Sequence, residues 1–165
     1  MNDGFLLIVL AFLAGGSLRP ASPDTALRKQ VTIVVDRKMR DAAMAVADPV
    51  RPVIYVNPTV LAELEPSFVT FVIRHEHGHI RSGHQRPDRA RYDRDRADAL
   101  LRSYELEADC IAAAELVADQ PAAVDAAIRF FSGLGPVRVD SEHPSGEERA
   151  AVIRACAVSS QETLR

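Results

Sequence analysis

The segment His75-Glu76-His77-Gly78-His79 constrains this chain more than any other stretch. It follows Pro66 and the apolar residues Phe68, Phe71 and Val72, so the sequence predicts a helix that opens at Pro66 and runs through the histidines. Residues four apart on a helix stack on one face, and His75 and His79 continue the stripe of Phe68, Phe71 and Val72. Two imidazoles on the core-facing side need polar or metal partners. At this spacing their ring nitrogens can share one Zn²⁺. Glu76 lies about 100° around the helix, beside the metal, where it can take a proton from water. His77 points roughly 160° away and is not a candidate ligand.

A catalytic zinc takes a third protein ligand and keeps one position open. A later helix, predicted from near Ala99 to about Ala118, carries Tyr104-Glu105-Leu106-Glu107-Ala108-Asp109. Glu105 and Asp109 share a face, and Glu105 is flanked there by Leu101, Ala108 and Ala112. A carboxylate in such small, apolar surroundings wants a cation, which makes Glu105 the candidate third ligand. Asp109, one turn along, is placed to accept a hydrogen bond from a ligating histidine and fix its tautomer. Glu107 lies on another side of the helix and reads as solvated. Taken alone, Glu105 and Asp109 could be an ordinary charged helix surface; the first helix is what favours a metal.

Taken in order, His75-Glu76-x-x-His79, Glu105-x-x-Ala108-Asp109 and His143-Pro144 resemble the HtpX and CAAX-prenyl-protease type of zinc metallopeptidase, over roughly residues 53–156. The resemblance implies a gluzincin with His75, His79 and Glu105 as zinc ligands, Glu76 as catalytic acid/base and Asp109 behind the ligands. It also implies a histidine near the metal at His143 and a basic position in the following helix at Arg149. Either could assist the oxyanion. Two features depart from that family: the membrane helices of HtpX-like members are missing, and the stretch from His79 to Glu105 is short; with little outside the catalytic core, the chain resembles the minimal exported members. The expected reaction is metal-assisted hydrolysis of a protein or peptide substrate, which strand 53–56 could hold by strand addition. The alternative is a non-catalytic zinc module that binds or regulates a protein partner, with His143 as a permanent fourth ligand. A purely structural helical domain is the third reading. The metzincin pattern H-E-x-x-H-x-x-G-x-x-H is not met, because its last two positions are Ser82 and Gln85. His84, one residue out of register, reads as a surface or second-layer residue.

The remaining sequence sets the frame. A chain of 165 residues suits one domain, and a net charge of −3 gives no reason to expect nucleic acid or an anionic membrane as partner. With no Trp and few aromatics, the core must be mostly Ala, Val, Leu and Ile. Phe5 to Leu13 is apolar and leads into Ala14-Gly15-Gly16-Ser17, a signal-peptide pattern over residues 1–16. No Lys or Arg precedes it, so a buried N-terminal helix stays open. The run is short against the ~20 apolar residues of a membrane span, and no Cys follows it to carry a lipid. The chain is therefore expected to be exported, periplasmic or secreted. There Cys110 and Cys156 could pair, or remain two buried thiols. Residues 17–30 read as a linker, and 31–165 as the zinc metallopeptidase-like domain.

Within that domain Val31–Val35 and Val53–Val56 read as strands, and 36–47 has helical composition. Asn57-Pro58 opens a short helix to Leu64, and residues 85–98 read as a solvated charged loop. Pro121 starts a helix ending near Gly133. Ser145 and Glu148 are spaced as a capping box for a last helix toward Val158. The expected class is α+β: a helix-dominated, zincin-like domain with a small N-terminal strand pair.

Overall fold

A computed structural model describes residues 30–87 and 91–163. The expected signal segment and nearly all of the linker lie outside the described residues. Among the described residues three strands come first: β1 (Thr32–Val35), β2 (Ala43–Val46) and β3 (Val53–Val56). They form one sheet in the order β1-β3-β2, with β1 parallel and β2 antiparallel to β3. The sheet is thus three-stranded, not a pair, and the helix expected over 36–47 is corrected to a turn followed by β2. Ala-Met-Ala-Val has helical propensity, but tertiary pairing overrides it. Asp48 Oδ1 accepts from the backbone N–H groups of Val50 and Arg51, at 2.8 and 2.7 Å, and turns the chain back toward β3. β3 is therefore central, paired on both sides. The expected addition of a peptide to strand 53–56 is excluded, because that strand has no free edge.

Among the described residues five helices follow: α1 (Pro58–Leu61), α2 (Pro66–Ser82), α3 (Arg94–Leu116), α4 (Pro121–Leu134) and α5 (Gly146–Thr163). Proline pre-sets the first turn of α1, α2 and α4. Asn57 caps α1 by accepting from Thr59 N, and it also donates to the Met39 carbonyl; α1 is a single turn that stops short of Leu64. α3 begins earlier than expected, inside the charged run, because the Asp93 side chain caps it through Arg96 N at 2.9 Å. At α5 the capping box forms: Glu148 accepts from Ser145 N at 2.8 Å and Ser145 Oγ accepts from Glu148 N at 3.2 Å.

The main core lies between α2, α3, α4 and α5, where Phe68, Phe71, Leu116, Val124, Phe131 and Ile153 are buried among many alanines. Two features bring the site together. Gly78 sits where α2 meets α3, and a Cβ there would lie 3.1 Å from the Cα and carbonyl oxygen of Ala108. Glycine thus lets the two backbones approach closely enough for side chains one turn away to meet. A Cys110–Cys156 disulfide then joins α3 to α5. Among the described residues no helix is long and apolar enough to cross a membrane.

Candidate metal centre

α2 supplies His75 and His79, one turn apart, and α3 supplies Glu105 opposite them. The two Nε2 atoms lie 2.9 Å from each other. Glu105 Oε2 is 3.3 Å from His75 Nε2, and its Oε1 is 3.3 Å from His79 Nε2. One ligand atom from each of the three residues falls within 4.8 Å of the others, so the group can hold a metal ion.

The hydrogen bonds behind this group support that fit. Asp109 Oδ1 accepts from His75 Nδ1 at 2.8 Å, which leaves the Nε2 of a neutral His75 as a lone pair facing the cluster. Two imidazole nitrogens and a carboxylate aimed at one point are what a divalent cation satisfies. Without one, burial would lower the proton affinity of His75, but the Asp109 carboxylate overrides it and raises the pKa to about 9. Burial likewise pushes Glu105 up, and its bonds to His75 and His79 more than reverse this, holding it well below the usual carboxylate range.

Asp109 is fully buried and stays ionised for the same reason. Burial disfavours its charge, but Arg149 donates to both its oxygens, from Nε and from Nη2, each at 2.7 Å. Arg149 also lies 3.6 Å from Glu105 Oε2 and stacks its guanidinium over Phe131, 4.0 Å from the ring centroid. Arg149 thus faces both Glu105 of the metal group and Asp109 behind it, and it also lines the cleft.

Glu76 is 8% exposed and lines the same cleft as the metal group, beside it rather than among its ligand atoms. Burial raises its pKa, the neighbouring His75 and His79 lower it, and a backbone hydrogen bond from Ala45 on β2 also favours the carboxylate. His77 is not part of the group. Neither is His143: its Nδ1 and its backbone N–H face Asp140 at 2.8–2.9 Å, and its side chain, 47% exposed, lines the cleft. Its loop is tied to the rest by an Arg86–Glu142 ion pair at 2.6 Å and by Arg102 donating to the Ser141 carbonyl.

The cleft encloses about 600 Å³. One wall is apolar, with Val60, Leu64, Phe68, Val72 and Phe130, and β2 contributes Ala43, Met44 and Ala45. The part played by β2 escaped the sequence reading because that segment looked helical. The alternation of small and large residues before Asp48-Pro49 was the available signal. His84 and Tyr104 also line the cleft, and His84 touches His79. No protein-family model, curated protein or solved structure matches this chain.

Proposed function

We propose that the chain is a zinc-dependent metalloendopeptidase, of the gluzincin kind that its motifs resemble, working in an oxidising compartment after export. The observation that carries this reading is the convergence of His75 Nε2, His79 Nε2 and a Glu105 carboxylate oxygen on one point, with buried Glu76 alongside. Two imidazoles and one carboxylate form a donor set suited to Zn²⁺, and three protein ligands leave a coordination position open. The Cys110–Cys156 disulfide supports the compartment, since such bonds persist where thiols are not kept reduced.

A bound Zn²⁺ supplies Lewis acidity, polarising the scissile carbonyl and acidifying water. The chain's own residues do the rest. Glu76 takes a proton from the attacking water as the new C–O bond forms. It then delivers that proton to the amine nitrogen as the C–N bond breaks. The Ala45 backbone N–H favours the charged form of Glu76. His143, on the cleft wall, is the candidate donor to the developing oxyanion. Arg149 acts through Glu105, a ligand, and through Asp109, which orients His75, offsetting the negative charge of both.

The outer edge of β2 offers the substrate a pairing partner. Ala42 accepts from Asn57 N, and Ala43 is opposite Val56, so alternation turns the Ala43 peptide groups away from β3 and out of the sheet. An extended peptide along this edge would pass the metal group, with the apolar wall taking a bulky apolar side chain.

The test is a broad peptide-cleavage screen of the zinc-loaded protein against Glu76→Gln. The variant should keep its zinc and fold yet lose about 10²–10⁴-fold in rate. Equal rates would reject the mechanism. A wild type that cleaves nothing and whose zinc carries a fourth protein ligand would point instead to a binding module.

A further inference from the structure

The two histidine ligands are not supported in the same way. His75 has Asp109 behind it, whereas His79 Nδ1 lies 3.0 Å from another imidazole nitrogen, His84 Nδ1. Between two such nitrogens one must donate and the other accept. His84 Nε2 lies 3.3 Å from Glu107 Oε2, and an ionised carboxylate only accepts. His84 Nε2 therefore carries the proton, and a neutral His84 offers its lone pair at Nδ1. His79 Nδ1 must then donate, which leaves the His79 Nε2 lone pair facing His75 and Glu105. The tautomer is passed from Glu107 through His84 to the ligand.

The surroundings are built for this arrangement. α2 ends at Gly83, whose φ of 68° is left-handed, with Gly83 N donating to the Ile80 carbonyl and His84 N to the His79 carbonyl. That turn folds His84 back onto the helix it has just left. Tyr104 then stacks flat on the His84 ring, centroids 4.2 Å apart and planes 11° from parallel. The His84 side chain is enclosed, only 6% exposed. Ser82 Oγ donates to the other oxygen of Glu107 at 2.7 Å and fixes that carboxylate in turn. Tyr104 and Glu107 flank Glu105 on α3, so one helix carries both the third ligand and the two groups that set His84.

We propose that His84 is a positioning residue of the metal centre: held by Glu107 and stacked on Tyr104, it orients His79 so that Nε2 presents its lone pair to the metal. This rests on the assignment of His75, His79 and Glu105 as a zinc site.

The test compares Zn²⁺ affinity of the full chain, by competition with a chromogenic chelator, and the visible spectrum after Co²⁺ loading. His84→Phe keeps a ring on Tyr104 but removes the acceptor. It should weaken Zn²⁺ binding by about 10- to 100-fold and shift the Co²⁺ bands. His84→Asn places an amide oxygen near the lost Nδ1 and should recover most of both. Glu107→Ala, on an exposed side chain that makes unfolding no concern, should weaken binding in the same direction and carries the test if His84→Phe does not fold. Wild-type affinity in His84→Phe and Glu107→Ala would overturn the role of His84 while leaving the zinc site standing. An Asn variant as weak as the Phe variant would also overturn it. A wild type that binds no more Zn²⁺ than a His75→Ala, His79→Ala chain would remove the site itself, and the inference with it.

Discussion

Asp109 is fully buried and ionised, and its two partners explain both facts: His75 donates to one oxygen and Arg149 to both. Replacing it removes more than a hydrogen bond. Asp109→Asn would take from the enclosed Arg149 guanidinium the carboxylate it bonds through two nitrogens, leaving Glu105 at 3.6 Å as its nearest remaining partner, and so should cost less than the ~3–5 kcal/mol of a buried charge left wholly unpaired. Chemical denaturation of the metal-free variant should show that loss, and metal affinity should fall by about 10- to 100-fold as His75 loses its orienting acceptor. At this scale much of the centre was legible. Two histidines and two acids, each pair four residues apart, can only be read as shared helix faces. Glu107 is exposed, as its place on the helix implies, yet it bonds His84 and Ser82. That contact depends on the left-handed turn at Gly83 and on a ring stack with Tyr104, and no spacing rule encodes either.

At the scale of elements, the helices were legible wherever proline or a capping box marks an entry, as at Pro66, Pro121 and Ser145. β2 was not, because Ala43, Met44 and Ala45 favour helix and became a strand only through pairing with β3. The start of α3 was hidden in a run of alternating charges, where Asp93 as cap looks like any other surface acid. The contact that matters most for the site is the α2–α3 approach at Gly78. A methyl group there would press on the backbone of Ala108, which cannot swing aside as a side-chain tip would. Gly78→Ala should therefore cost about 1–3 kcal/mol by overpacking. It should also weaken metal binding, because separating the helices draws Glu105 away from His75 and His79. Thermal melts of the metal-free and zinc-loaded variant separate the two effects: the stabilisation by zinc should shrink as well as the baseline.

For the whole molecule, the sheet edge, the α2–α3 pair and α5 must be held in one arrangement for the cleft to exist. The disulfide closes a separation of 46 residues and fixes α5, which brings Arg149 to Asp109. A Cys110→Ala, Cys156→Ala chain should lose roughly 3–4 kcal/mol of stability, read by denaturant unfolding against the oxidised wild type. The sequence presented this pair only as a possibility, since the distance between α3 and α5 is a property of the packed core and not of any local pattern. A zinc centre formed by His75, His79 and Glu105 should show in the zinc content of the purified chain after dialysis against metal-free buffer. The wild-type chain should hold about one zinc and a His75→Ala, His79→Ala chain none. Full zinc retention in that double variant would contradict it.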